Sequence, residues 1–458
     1  MTDQQKDEPS RVEARTVATE RRGRMARRAA PTTGRSVVRT VGHLVLAQVV
    51  VGAASLVINI LAARSMGPAG RGSLALLLQL TYVVNLLAVA GSDRSYPATV
   101  PVDRGARAAS ADMLRLVAPA AVVAMAALGP IVLIIDAGTP HHLAVLSGFL
   151  LVATVLALNS ALRTGAAASG VARPYLTATV AGQVTLVAAA AVLTVAEVES
   201  VEVWLIAYGG SLAVAPLVAF GLLRRTAPAR PAHRHSLAPA RRLGLRLLPA
   251  AIASMVTLRA DRIMLPWLGS YDQLGLYIVV ATVAELAIWP VQSYVDAQAP
   301  RWHQRFLQGD LRVSGPLLAA AAYGVIAGAG LIAAGHLLIV PVLGAEYASS
   351  TGLLVPLAAG AIGYSVSRMA VGLAVATERA RSALIADIPA MVVALGAYLV
   401  LIPRHGAMGA AVGSAVAYGA AAVLAVASTL AVTSSRRQRR SHAQFADDRS
   451  RPPSPTRD

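Results

Sequence analysis

The sequence predicts an all-α polytopic membrane protein with twelve transmembrane helices in two bundles of six. Three observations carry this. Apolar residues make up 56% of the 458-residue chain and charged residues only 14%, whereas a soluble domain carries about 25% charged residues. A water-facing surface could not be covered. Nearly charge-free runs of about 20 residues, the length needed to cross the hydrocarbon, recur from end to end. A motif that follows the first run also returns after the seventh. The net charge of +18 would point to nucleic acid in a soluble protein, but here it sits in tails and loops, so no nucleic-acid partner is expected.

Taken in order, residues 1–40 form a polar, basic tail expected to be disordered. The first span, 41–63, is too long for a signal-peptide core and should stay uncleaved. Spans 73–91, 116–135, 143–162, 174–196 and 203–223 complete the first bundle. A linker at 224–246, with Pro228, Pro231, Pro239 and seven arginines, separates it from the second. There the spans are 247–269, 274–295, 313–334, 351–377, 382–403 and 406–432, followed by a second disordered tail, 433–458. Gly324/Gly328 and Gly409/Gly413 have the small-xxx-small spacing of closely packed helices.

Arginine distribution sets the direction. With the amino terminus inside, 35 of the 41 basic residues fall on the cytoplasmic side. Only Arg64, Arg71 and Arg404 are assigned to the outside, where the loops are acidic (Asp136, Glu197, Glu199, Glu202, Asp272, Glu346). Both termini are therefore expected in the cytoplasm of a multi-pass protein of the cytoplasmic membrane. A reporter active only in the cytoplasm should work when fused after Val432 and fail when fused within 197–202. The opposite pattern would invert the topology.

The repeat shows in Gly67-Pro68-Ala-Gly70-Arg71-Gly72 after the first span and Gly269-Ser-Tyr-Asp-Gln-Leu-Gly275 after the seventh. Arg163 and Arg173 are echoed by Arg368 and Arg379, with all offsets between 202 and 206 residues. Six spans per half preserve direction, so the halves relate about an axis along the membrane normal, with a substrate path between them.

Four stretches then resemble a known family. They are Leu61-Ala-Ala-Arg64-Ser-Met-Gly67-Pro68-Ala-Gly70-Arg71-Gly72, the Leu258-Arg259-Ala-Asp261-Arg262 helix running into Leu274-Gly275-Leu-Tyr277, Pro341-Val-Leu-Gly344-Ala-Glu346-Tyr347, and Pro403-Arg-His-Gly406-Ala-Met-Gly409. In this order, on this frame, they resemble the oligosaccharide-lipid flippases of the multidrug/oligosaccharidyl-lipid/polysaccharide (MOP) exporter superfamily. The resemblance implies a non-enzymatic transporter that carries polyprenyl-diphosphate-linked sugars to the outer leaflet for cell-surface polysaccharide synthesis. The lipid-linked oligosaccharide, membrane lipids and polysaccharide-assembly proteins would be its partners.

Ionisable groups inside spans cost several kcal/mol unless they face a cavity or a partner. Six stand out: Arg259, Asp261, Arg262, Glu285, Arg368 and Asp387. Arg262 shares a helix face with Arg259, while Asp261 is rotated by about 200° from it. A diphosphate crossing the bilayer needs cations to replace its water, and the arginine fork suits phosphate oxygens. Arg259, Arg262 and Arg368 are thus candidate headgroup contacts, and Asp261, Glu285 and Asp387 candidates for ion pairing or cation coupling. The alternative is that Arg259–Glu285 and Asp261–Arg262 pairs simply tie helices together. Asn59, Gln79, Asn85, Asn159 and Gln183 are candidates for lining the cavity or bonding between helices.

Three other functions compete. A cation-coupled multidrug exporter of the same superfamily commonly has an acid in its first helix, where this chain offers Asn59. A lipid II flippase usually has additional helices. A membrane glycosyltransferase, polymerase or ligase needs a catalytic loop or domain, and the chain has no Asp-x-Asp on a sizeable outer loop and no nucleotide-binding glycine loop. With no cysteines, and no third ligand at a useful spacing from His141-His142, neither metal nor cofactor is expected.

Overall fold

The structure is a computed structural model and describes residues 34–99, 105–135, 140–225, 236–308, 310–311, 313–376 and 380–450. The outer parts of both expected tails and the centre of the expected linker lie outside these residues. The first helical rod, Gly34–Val89, has 56 residues. At 1.5 Å per residue it would be about 84 Å long, far beyond a hydrocarbon core of about 30 Å. Gly67 breaks it, with φ 63° and ψ −176°, a conformation that only glycine adopts readily. The rod is therefore two antiparallel spans, α1 (34–66) and α2 (68–89). Gly406, at φ 53° and ψ −128°, likewise divides Ala380–Ser450 into α12 (380–405) and α13 (407–450).

Between them lie a short α3 (Ser92–Thr99), α4 (Ala106–Ile135), α5 (His142–Ser169), α6 (Arg173–Val195) and α7 (Val201–Arg224), then α8 (Ala238–Leu268), α9 (Tyr271–Gln308), α10 (Ser314–Leu343) and α11 (Leu354–Ala376). A 3-10 segment, Ala345–Leu353, leads into α11. No strand occurs among the described residues. All the helices but α3 are membrane spans, so the twelve-helix expectation holds.

Several boundaries differ from those expected. Helix α8 starts at Ala238 rather than 247, with Pro239 in its first turn, where a missing N–H costs nothing. Its early turns expose Arg241 and Arg242, so they are helical without being apolar and escape a hydropathy count. Helix α13 runs to Ser450, where a disordered tail was expected from 433; arginine, glutamine and alanine all favour helix. The short α3 forms where a loop was expected. Its Ser95 hydroxyl donates to the Ala240 carbonyl at 2.7 Å, joining it to the start of α8.

Helices α4 to α7 pack with α1 and α2, and α11 packs with α10, α12 and α13. Gly324 and Gly328 of α10 lie against Ile362 and Ala358 of α11, the close packing their spacing predicts. The two halves meet at both ends of the bundle. Near the termini, Gly91 abuts Gly244. At the far end the contact is reciprocal: Gly72 lies against the Tyr271 carbonyl, and Gly275 against the Pro68 carbonyl. Both Pro68/Tyr271 and Gly72/Gly275 are 203 residues apart, so the repeat read in the sequence closes on its own twin. A Cβ at either glycine would overlap the opposing carbonyl oxygen, so only glycine permits this approach.

Candidate functional site

A cavity of about 270 Å³ lies between the halves, walled by α1, α2, α7, α8 and α9. Its charged lining residues are Arg71, Arg259, Arg262 and Glu285. Arg262 is 4% exposed and reaches Glu285 Oε1 at 2.6 Å, while its Nε has no hydrogen-bond partner. Arg259 stands 3.5 Å from Glu285 Oε2. It also donates to Gln79 Oε1 at 3.0 Å and sits 4.8 Å above the centre of the Tyr82 ring. It therefore spans from α8 across to α2, bridging the two halves.

Arg71, assigned to the outer side by the sequence, is instead 7% exposed and lines this cavity. It donates through Nε (3.0 Å) and Nη2 (2.6 Å) to Asn59 Oδ1, and its Nη1 has no partner. The Gly67 break comes early enough that Arg71 falls on the first turn of α2 and turns inward. A signal was present: the 203-residue offset pairs Arg71 with Leu274, a fully buried apolar position. Tyr82, Tyr208, Thr282 and Trp289 also line the cavity and were not singled out.

Of the other expected site residues, Asn59 and Gln79 line the cavity, whereas Asn85, Asn159, Gln183, Arg368 and Asp387 do not. Arg368 donates to Ser254 at 2.9 Å and stacks 5.1 Å from the Tyr364 ring, within the second half. Asp387 is 8% exposed, and among the described residues no cation lies within ion-pair distance of it. The expected Asp261–Arg262 ion pair does not form: Glu285 takes the Arg262 guanidinium, and Asp261 accepts from Arg262 the backbone N–H alone, at 2.8 Å. Facing away as its helical phase requires, Asp261 accepts hydrogen bonds from the Tyr277 and Ser414 hydroxyls. Tyr398 lies 3.1 Å from Ser414, which completes a hydroxyl cage inside the second half.

Electrostatically, three arginines against one carboxylate leave the cavity with a surplus of two positive charges. A low-dielectric wall and guanidinium N–H groups without partners suit a compact, multiply charged anion.

No family model matches the chain, and no curated protein sequence matches it. Solved structures do. An inward-facing multidrug resistance MATE-family transporter of the MOP superfamily aligns at TM-score 0.61 and 14% identity, over 84% of this chain and 95% of that one. The lipid II flippase MurJ, in an inward closed conformation, aligns at TM-score 0.59 and 13% identity, over 85% and 87%. A MOP transporter from Pyrococcus furiosus, described as having a binding pocket of reverse polarity, aligns at TM-score 0.54 and 16% identity, over 87% and 95%. At these identities the likeness concerns architecture: the chain has the twelve-helix fold of MOP-superfamily transporters.

Proposed function

We propose that the protein flips a polyprenyl-diphosphate-linked oligosaccharide across the cytoplasmic membrane by alternating access, with the diphosphate held by Arg71, Arg259 and Arg262. The observation that carries this is the cationic surplus of the inter-half cavity. It matches the two charges of a diphosphate diester and repels the cations that a cation-coupled drug exporter would handle. Lipid II carries the same diphosphate, so the arginines do not discriminate the two cargoes, and the sugar does. The partners are the lipid-linked cargo, the surrounding lipids and the proteins that assemble the polysaccharide.

Arg259 provides the test. Losing one charge-assisted phosphate contact costs about 1.5–3 kcal/mol, or roughly 10- to 100-fold in binding. Export in cells should fall in the order wild type, Arg259→Lys, Arg259→Ala at equal protein levels, because lysine keeps the charge but loses the fork. Glu285 keeps Arg262 at 2.6 Å when Arg259 is removed, so such a loss would not come from an orphaned carboxylate. Recovery of export in the Arg259→Ala, Glu285→Ala double variant would refute the cargo-binding role.

A further inference from the structure

A second cavity, also of about 270 Å³, lies between α1, α9 and α10. Leu56, Val280, Val283, Leu331, Leu338 and Val342 are among its walls, and Asn59 is its only polar lining residue. Asn59 also lines the arginine cavity, so one amide stands between a cationic chamber and an apolar one. Its Oδ1 holds Arg71, and its Nδ2 donates to the Val279 carbonyl across the α1–α9 seam at 3.3 Å. Leu338, one of its lining residues, is 53% exposed, so the chamber wall reaches the surface of the bundle there. It lies towards the end of α10 that precedes the 3-10 segment, where Glu346 stands beside the Gly67 turn, in the half of the membrane away from the termini.

We propose that this cleft holds the hydrocarbon chain of the cargo lipid while its diphosphate rests on Arg71. This extends the function proposed above and rests on it. The two chambers together match one amphipathic molecule, charged at one end and apolar at the other, and the junction falls at Asn59. Hydrocarbon gains little by leaving lipid for an apolar protein wall, so the chain is not drawn in by itself. The headgroup tethers it there at high effective concentration, and the Asn59–Val279 bond opens to let the junction through. Because the cleft lies in the leaflet away from the termini, it receives the chain at the delivery stage of the cycle.

The test uses the full chain in lipid nanodiscs with two probes. One is a farnesyl diphosphate carrying a diazirine at the chain terminus; the other is radiolabelled inorganic pyrophosphate. Illumination should place crosslinks on the α1, α9 and α10 residues of the cleft. Leu338→Trp, where the wall reaches the surface, should lower that yield by about tenfold by excluding the tethered chain, leaving pyrophosphate binding unchanged. Leu337→Trp, one residue away and 72% exposed, should leave both unchanged. Crosslinks confined to other helices, with pyrophosphate binding still dependent on Arg71 and Arg262, would overturn the cleft and spare the headgroup site. Pyrophosphate binding indifferent to Arg71→Ala and Arg262→Ala would overturn the headgroup site, and the cleft proposal with it.

Discussion

Gly72→Val is expected to abolish transport by propping one end of the protein open. The Gly72 backbone lies against the Tyr271 carbonyl, and Gly275 against that of Pro68, with no room for a side chain. Packed interfaces do not deform continuously, so overpacking one separates it or shifts its backbone. Gly275→Val should act alike, because the contact is reciprocal. The chain contains no cysteine, so Thr282→Cys, in the cavity wall, gives a single label site. An impermeant maleimide added on the side of the Gly67 turn should modify it several-fold faster in the valine variants than in the parent. Unchanged labelling together with normal export would mean that this contact is not a gate.

Arg262→Ala should combine the largest loss of stability with loss of cargo binding. Removing one partner of a buried ion pair costs about 3–5 kcal/mol, because the other charge is left stranded. Glu285 retains only Arg259, at 3.5 Å. Thermal unfolding in detergent should show a markedly lower midpoint. The double change Arg262→Met with Glu285→Gln replaces the pair with uncharged groups of similar size and should recover most of that midpoint. Export should stay absent, because the double variant no longer supplies the guanidinium. Recovery of export along with stability would reduce Arg262 to a structural tie.

The sequence disclosed the spans because hydrocarbon length and apolar composition are properties of single segments. It disclosed Arg259, Arg262 and Glu285 because charges in such segments demand a partner or a cavity, and all three line one cavity. Partner choice was less legible. Whether Arg262 turns to Asp261, its neighbour in sequence, or to Glu285 on α9 depends on which helix packs against which face. Arg368 shows the same limit, because its rotation is set by Ser254 and Tyr364. Arg71 was hidden by a single residue's geometry: Gly67 places the turn, and so decides whether an arginine four residues later meets water or the cavity. Helical turns outside the hydrocarbon, at the start of α8 and the end of α13, carry no apolar signature.

The imbalance of three arginines over one carboxylate also has an electrical meaning. An empty cavity with two surplus positive charges feels the transmembrane potential, which acts with about 2.3 kcal/mol per elementary charge per 100 mV across the full field. The doubly charged diphosphate of the proposed cargo would cancel that surplus and leave the loaded protein nearly indifferent to voltage. With the termini inside, the orientation expected from the arginine distribution, an inside-negative potential would draw the empty cavity back towards the cytoplasm. On the function proposed above, voltage would then drive the return of the empty carrier rather than the passage of its cargo, and depolarisation should slow turnover.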